Sequence, residues 1–86
     1  MMQVFDFTES GSGLLVKYSA HHRNELCIPA DAPEFFGIVK DKEFLEVQGV
    51  VVCYPRVHWE GRAMSTLCHP ANVDPVRPHA LPTIDI

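Results

Sequence analysis

The stretch EFLEVQGVVVCYP, residues 43–55, decides the fold class of this 86-residue chain. Apolar side chains recur at every second position from Leu45 to Cys53, interrupted only at Gly49, and a period of two is the signature of a β-strand. Beyond Gly49 both faces of the strand are apolar, so we predict that it begins near solvent and ends in the interior. Gly49 at this changeover predicts a β-bulge or a close approach of another backbone. Pro55 is expected to end the strand, because proline donates no hydrogen bond to a neighbouring strand.

Three hairpins are predicted around this strand, each made of two short segments joined by a turn. Glycine, serine or adjacent charged residues mark the turns, and Gly61 is expected to have a positive φ. The paired segments and their turns are residues 3–8 and 14–20 around 9–13, residues 37–40 and 43–47 around 41–42, and residues 57–59 and 62–64 around 60–61. We therefore predict a mainly β domain (small α+β) of antiparallel hairpins. Its strands form a small sheet or a partly closed barrel, which would remove exposed strand edges.

A single helical turn is predicted at residues 30–37. Asp31 is a suitable N-cap for this turn, and Gly37 supplies a stop signal. One turn is not stable by itself, so we expect it to be anchored to the sheet. Residues 21–24 are polar enough to turn the chain, and residues 25–28 are expected to form a short strand.

The C-terminal segment, residues 70–86, contains four of the seven prolines of the chain. Proline at this density excludes a helix and predicts an extended or polyproline-like conformation. We therefore divide the chain into a small β domain, residues 1–69, and an extended Pro-rich segment, residues 70–86. The segment is apolar rather than solvating, which favours docking along a sheet edge or in a groove, on its own domain or on another chain. The segment residues predicted to contact a partner are Val76, Leu81, Ile84 and Ile86.

Length and charge limit the function classes. A chain of 86 residues is too short for a dinucleotide-binding fold or an eight-stranded α/β barrel. Seven basic and eleven acidic residues give a net charge of −4, which argues against general binding to nucleic-acid backbones or anionic membranes. The longest apolar run, residues 50–54, is far shorter than the ~20 residues of a membrane span, so we expect no membrane contact.

The cysteines and the N-terminus bear on the compartment. Three widely spaced cysteines are an odd number, whereas small secreted domains usually carry an even and denser set. Residues 1–7 lack both a basic leader and a continuous apolar stretch, so we expect no secretory signal. These features predict a reducing, cytoplasmic location.

Cys53, Cys68 and the histidines raise the alternative of a small structural zinc-binding domain. Structural zinc sites use four ligands in two closely spaced pairs, and no CxxC or HxxxH spacing occurs in this sequence. No paired carboxylates, Ser/His/Asp pattern or phosphate-binding glycine loop is recognisable. The apolar run around Cys53 favours a raised thiol pKa, which is unsuited to a nucleophile. We therefore expect no cofactor, no bound metal and no enzymatic activity.

The hairpin RVHWEGR, residues 56–62, carries the single tryptophan of the chain between two arginines. Tryptophan and arginine dominate the hot spots of protein interfaces. The alternatives are that Trp59 stacks on a base, as in oligonucleotide-binding barrels, or that it belongs to the core with Arg62 across it as a cation–π pair. We favour contact with another protein, because a chain with only seven basic residues is expected to bind nucleic-acid backbones weakly. The predicted contact residues of this hairpin are Arg56, His58, Trp59 and Arg62.

These observations favour a small non-enzymatic module that acts by protein–protein interaction. Short intracellular chains without a recognisable motif are often accessory or inhibitor proteins of phages or mobile elements, and we expect this chain to bind a larger protein in that way. A homodimer formed through a strand edge or exchanged C-terminal segments is a further expectation, because a domain this small gains core by pairing. The zinc domain and the oligonucleotide-binding barrel are the alternatives.

Overall fold

The computed structural model describes residues 3–9, 12–76 and 83–85 of the chain. Within these residues the fold is mainly β, with seven strands, one α-helix and two short 3₁₀ helices. The predicted mainly β class with antiparallel strands is confirmed. The strands are β1 (Gln3–Phe5), β2 (Leu15–Tyr18), β3 (Phe36–Val47), β4 (Val50–Trp59), β5 (Thr66–Leu67), β6 (Val73–Pro75) and β7 (Thr83–Asp85). Helix α1 covers Ala20–Glu25, and the 3₁₀ helices cover Phe7–Glu9 and Pro70–Asn72.

Five strands form one antiparallel sheet in the order β5-β4-β3-β2-β6, and β1 pairs separately with β7. The sheet is open, because its edge strands β5 and β6 do not pair with each other in the described part of the chain. The prediction of a small sheet is therefore confirmed, and the alternative of a partly closed barrel is wrong. The two edge strands have only two and three residues. Such short edges expose little unpaired backbone, so closure is not needed to protect them.

The first predicted hairpin is wrong, because β1 and β2 do not pair with each other. The Asp6 carboxylate accepts a hydrogen bond from the Thr8 N–H at 3.0 Å, which turns the chain after β1. The following 3₁₀ helix buries Phe7, whose ring meets that of Phe5 edge-to-face at a centroid distance of 4.6 Å. β1 then pairs with β7, while β2 pairs with β3 and β6.

The stretch 43–55 forms parts of two strands instead of one. β3 ends at Val47, and β4 begins at Val50, which stands directly opposite it. Gln48 and Gly49 between them both have positive φ angles, 51° and 81°, as a type I′ hairpin turn requires. The bulge predicted at Gly49 is therefore wrong, and so is the alternative of a close backbone approach, because nothing lies within 4 Å of a Cβ built there. The turn predicted at residues 41–42 is also wrong, because β3 continues there.

The bulge of this hairpin lies earlier, and Pro55 does not end β4. The register of β3 and β4 shifts between Val39 and Asp41, and β4 continues to Trp59. The Pro55 carbonyl accepts a hydrogen bond from the Cys68 N–H at 2.9 Å. Because the backbone N and O of one residue in an antiparallel strand point to the same side, the missing N–H of Pro55 faces away from β3. No hydrogen bond between β3 and β4 is lost, so the proline is tolerated.

Helix α1 occupies residues 20–25, which include the turn predicted at residues 21–24, and the short strand predicted at residues 25–28 does not form. The Ser19 side-chain oxygen accepts a hydrogen bond from the His22 N–H at 3.1 Å and caps the helix N-terminus. The same hydroxyl donates to the Ala71 carbonyl at 2.6 Å, which ties the short helix to the second 3₁₀ helix. The helical turn predicted at residues 30–37 is wrong, because residues 30–35 contain no helix and β3 follows them.

The third predicted hairpin has the predicted turn but a different return strand. Gly61 has a positive φ of 77°, as expected. Val57 pairs with Thr66, two residues beyond the partner that a simple two-residue turn would give, so the strand predicted at residues 62–64 is wrong. Residues 62–65 lie outside the sheet and connect β4 to β5.

The core lies between the inner face of the sheet and the segment that contains β1. Val73 is fully buried and β6 pairs with β2, so the first residues of the predicted C-terminal segment pack on the domain before them. The division of the chain at residue 70 stays a prediction. In the described part of the chain, no helix has the length and apolarity of a membrane span. The buried cluster comprises Phe5, Phe7, Val16, Val39, Cys53, Val57, Trp59 and Val73.

Candidate functional site

Trp59 lies in the core, in contrast to the surface position expected of a contact residue. Its side chain is only 4 % exposed, stacks on Phe35 at a centroid distance of 5.6 Å, and meets Tyr18 edge-to-face at 4.7 Å. Trp59 stands opposite Gly37, where an added Cβ would lie 2.8 Å from the indole Cε3 atom, so the glycine makes room for the ring. No cation–π contact with Arg62 occurs among the described residues.

The other three predicted contact residues of this hairpin reach the surface. Arg56 forms an ion pair with Glu43 on the neighbouring strand. The His58 Nε2–H donates to the Arg62 carbonyl at 2.9 Å and holds the start of the loop 62–65. The Arg62 side chain is exposed and has no ion pair or hydrogen bond within the described residues. Of these three side chains, Arg62 therefore keeps its charge available.

The predicted contacts of the C-terminal segment are described only in part. Val76 is half-buried, and its N–H donates to the Leu15 carbonyl at 3.1 Å, so it extends the edge of the sheet beside β2. Ile84 lies in β7 opposite Val4. Leu81 and Ile86 lie outside the described residues. The role of this segment in partner binding stays a prediction.

The far end of the β3–β4 hairpin, residues 42–55, carries much of the exposed apolar surface, and we call it the hairpin arm. β2 pairs with β3 only at residues 36–38, and β5 pairs with β4 only at residues 56–57. In the described part of the chain the arm therefore consists of two strands without a third. Five of the nine exposed large apolar residues of that part lie in the arm, namely Phe44, Leu45, Val47, Val50 and Val51.

Both faces of the arm carry exposed apolar side chains. Residues that stand opposite each other share a face, so Phe44 and Val51 lie on one face, and Leu45, Val47 and Val50 lie on the other. Val47 and Val50 stand opposite each other at the tip, beside the turn. The base of the arm packs on the domain through the buried residues Val52, Cys53 and Pro55, but its tip exposes apolar side chains on both faces, and exposed apolar patches of this kind mark interaction sites.

The sequence pattern predicted only half of this arrangement. It indicated that the stretch runs from solvent into the interior, and β4 does so from Val52 onward. Val50 and Val51, however, are 61 % and 65 % exposed, because the turn before them places both at the tip. The available signal was the Gln48-Gly49 pair at the centre of an apolar run, which fits a two-residue hairpin turn as well as a bulge.

A pocket of about 570 Å³ lies at the opposite end of β4, between the loop 62–65 and the second 3₁₀ helix. Tyr18 and Trp59 form its aromatic wall, and Arg62, His69 and Asn72 contribute polar groups. No aspartate or glutamate among the described residues lines it. The pocket exists because residues 62–65 leave the sheet, so the predicted two-residue hairpin could not indicate it.

His69 is held in one neutral tautomer at the pocket wall. Its Nδ1 accepts a hydrogen bond from the Ala71 N–H at 3.0 Å and caps the second 3₁₀ helix, so in the neutral ring Nε2 carries the proton. Burial lowers the pKa of His69, the nearby His21 lowers it further, and the carboxylate of Glu25 partly opposes both effects. The ring is therefore neutral at pH 7 and acts as an N–H donor.

The cysteines and histidines do not gather into a metal centre in the described part of the chain. No group of three or more His, Cys, Asp or Glu side chains there could hold a metal ion, so the zinc alternative has no ligand set among these residues. Burial raises the pKa of the Cys53 thiol, which makes it a poor nucleophile at neutral pH. The Cys68 thiol contacts the Thr66 hydroxyl and carbonyl, and Cys27 is exposed.

Comparison with known proteins gives no relative of this chain. No protein-family model matches it, and neither does any curated protein or solved structure. The functional interpretation therefore rests on the geometry and chemistry of the described residues.

Proposed function

We propose that the chain is a small, non-enzymatic protein-binding module and that the hairpin arm is its contact surface. The observation that carries the proposal is the apolar exposure on both faces of the arm, where Phe44, Val50 and Val51 are 55 %, 61 % and 65 % exposed. Contiguous exposed apolar patches mark interaction sites on soluble domains. A partner that covers the arm removes this surface from water, which is the main favourable term in protein association.

The strand edges of the arm support the same proposal. Neither arm strand has an outer neighbour along most of its length in the described part of the chain. Backbone N–H and C=O groups therefore face outward along both edges, and an extended segment of a partner can hydrogen-bond to them as an added strand. Burial of the apolar side chains on the two faces would then provide affinity. The backbone hydrogen bonds along the edge would fix the register of the partner segment.

The partner in this proposal is a larger protein in a reducing, cytoplasmic compartment. The three cysteines are free, and one of them, Cys27, is exposed, which suits such a compartment. An accessory or inhibitor protein of phage or mobile-element type would act in this manner, by covering a functional surface of its target. The alternative is that a second copy of the chain binds the arm and forms a homodimer. The oligomeric state in solution distinguishes a homodimer from a complex with a larger protein.

The test compares Val51→Lys in the arm with Leu26→Lys as a matched control. Both side chains are apolar and more than half exposed, but Leu26 lies just beyond α1, outside the arm. Each purified chain captures proteins from a lysate of its source cells, and the Kd of the captured partner is then measured with purified components. Loss of an interface hot spot costs roughly 2 kcal/mol, so Val51→Lys should weaken binding about thirtyfold. Leu26→Lys should leave the Kd unchanged.

Sedimentation velocity of the same three proteins identifies the occupant. A wild-type dimer that Val51→Lys converts to a monomer would assign the arm to a second copy of the chain. A monomer that binds a different protein through the arm supports the larger partner. The proposal fails if the two lysine variants bind equally well, or if the wild-type chain neither self-associates nor retains another protein.

A further inference from the structure

The pocket at the end of β4 has the size and the chemistry of a small-molecule site. Its volume of about 570 Å³ falls within the range of ligand pockets. The half-buried Tyr18 ring and the accessible edge of Trp59, whose ring lies between Phe35 and Tyr18, line the pocket and can contact a flat apolar group. The pocket includes no residue of the hairpin arm, so a ligand bound in it is independent of a protein bound to the arm.

The indole N–H of Trp59 is an unused donor, and Trp59 lines this pocket as well as a second cavity beside Gly37. The side chain is 4 % exposed, yet its N–H makes no hydrogen bond within the described residues. No fully buried side-chain nitrogen or oxygen in that part of the chain lacks a partner, so the indole nitrogen must meet open space. A Cβ built on Gly37 would lie 2.8 Å from Cε3, and Nε1 is on the opposite edge of the indole ring from Cε3. Buried indole N–H groups usually find an acceptor, and here a ligand can supply it.

Arg62 places a positive charge at the same pocket. Its backbone is fixed on both sides, because its N–H donates to the Trp59 carbonyl at 3.1 Å and its carbonyl accepts from His58 at 2.9 Å. Its guanidinium has no ion pair or hydrogen bond among the described residues. The Nε2–H of His69 adds a further donor. The described lining therefore offers donors and a cation without a carboxylate, in a chain whose net charge is −4.

We propose that this pocket binds a small organic anion that joins a flat apolar ring to a carboxylate or a phosphate. The ligand ring packs against Tyr18 and the accessible edge of Trp59, the oxyanion pairs with the Arg62 guanidinium, and an acceptor of the ligand takes the Trp59 N–H. Arginine suits this role because its planar fork matches both carboxylate and phosphate oxygens. Carboxylate and phosphate share this chemistry, and the experiment distinguishes them.

The single tryptophan makes the binding directly observable. The full chain, labelled with nitrogen-15, gives one indole N–H signal, which is followed while benzoate or phenyl phosphate is added; Trp59 emission provides a second readout. Benzyl alcohol serves as a neutral ring of similar size. The variants are Arg62→Gln and, as the matched control, Lys40→Gln, which removes one exposed positive charge outside this pocket. Equal thermal midpoints of the two variants show that both are folded.

We expect a saturable shift of the indole signal with at least one of the two anions and a much weaker shift with benzyl alcohol. Saturation by benzoate alone would identify a carboxylate ligand, and saturation by phenyl phosphate alone a phosphate ligand. Arg62→Gln should weaken binding about tenfold, because it removes a charge-assisted hydrogen bond, and Lys40→Gln should not. The proposal is overturned if neither anion saturates the signal up to about 10 mM, if benzyl alcohol binds as tightly as the anions, or if the two variants bind equally.

Discussion

Replacement of Gly37 by alanine tests whether the packing of Trp59 on the sheet controls stability. The added Cβ would lie 2.5 Å from Val57 Cγ1, 2.8 Å from Trp59 Cε3 and 3.1 Å from the His58 carbonyl oxygen. The first two distances are shorter than Cβ contacts in real proteins, so the neighbouring side chains must move. Gly37 is not among the glycines with positive φ, so alanine adds no backbone strain and the variant isolates packing.

The expected magnitude follows from how little these neighbours can move. Val57 is fully buried, and the Trp59 ring is held between Phe35 and Tyr18. Overpacking of a close-packed core costs about 1–3 kcal/mol, and two simultaneous close contacts with buried groups favour the upper part of that range. A loss of about 2–3 kcal/mol lowers the Tm of a domain of this length by about 10–20 °C.

The assay is thermal and urea unfolding, followed by far-UV circular dichroism and by Trp59 emission. The control is the double variant Gly37→Ala/Val57→Ala, which removes the methyl group that collides with the new Cβ. Val57→Ala alone should cost about 2 kcal/mol through the cavity that it leaves. Because the added methyl partly fills this cavity, the double variant should lose less stability than the sum of the single variants. A Gly37→Ala chain that melts with the wild type, or an additive double variant, would refute the packing argument.

Three further predictions concern the cap, the turn and a half-buried carboxyl. Ser19→Ala should lower the free energy of unfolding by about 2 kcal/mol, because it removes the α1 cap and the donor to the Ala71 carbonyl. The control Ser65→Ala, measured by the same urea titration, should change the free energy of unfolding little. Gly49→Ala should lower stability by about 1 kcal/mol, since φ there is 81° and nothing lies near the added methyl, whereas Gly49→Asn should cost less by the same thermal assay. Asp74→Asn should raise the Tm at pH 7, and this gain should shrink as the pH is lowered toward 4.

The sign of the Asp74 effect comes from its pKa. Burial raises the pKa of Asp74 above its ordinary value of 3.8, and the ammonium of Lys17 partly offsets this. The folded chain therefore binds the proton more tightly than the unfolded chain, so the stability contribution is largest at acid pH and is lost as the pH rises through the folded-state pKa. Asparagine avoids the partial burial of a charge at neutral pH. A pH-independent difference in Tm between the variant and the wild type would contradict this account.

Local patterns predicted the fold class and some turns, but not the pairing of strands. Alternation gave the mainly β class, and the Glu60-Gly61 pair gave the turn with a positive φ at Gly61. The valine run on both sides of Gln48-Gly49 has no polar break, so one strand with a bulge and two strands with a turn fit the same letters. The alternation of apolar and polar residues indicates only which residues share a face of a strand. It does not indicate where one strand ends in a turn and the next begins.

Distant contacts decided the elements that local patterns do not predict. Ser19 is a good cap in principle, but a helix of six residues needs anchoring, and its hydroxyl finds the Ala71 carbonyl 52 residues away. The burial of Trp59 also depends on residues distant in the sequence. Tyr18 and Phe35 pack on its ring, and the absence of a side chain at Gly37 leaves room for it. A sequence with one tryptophan between two arginines fits a surface hot spot and a buried ring equally well. The two cases are distinguished by the register of β3 against β4, which places Trp59 opposite Gly37.

Folding does not explain the apolar side chains at the tip of the arm. Substitutions of exposed residues usually change stability by at most about 0.5 kcal/mol, so Val50 and Val51 add little to the core. Threonine would form the same two strands and the same turn with less risk of edge-to-edge aggregation. The base of the arm is fixed by polar contacts, because the Lys42 ammonium donates to the Thr8 carbonyl at 2.6 Å and Arg56 pairs with Glu43. These contacts hold the base of the arm and do not involve the valines at its tip. Contact with another molecule therefore explains the exposed valines better than folding does, and this supports the proposed function.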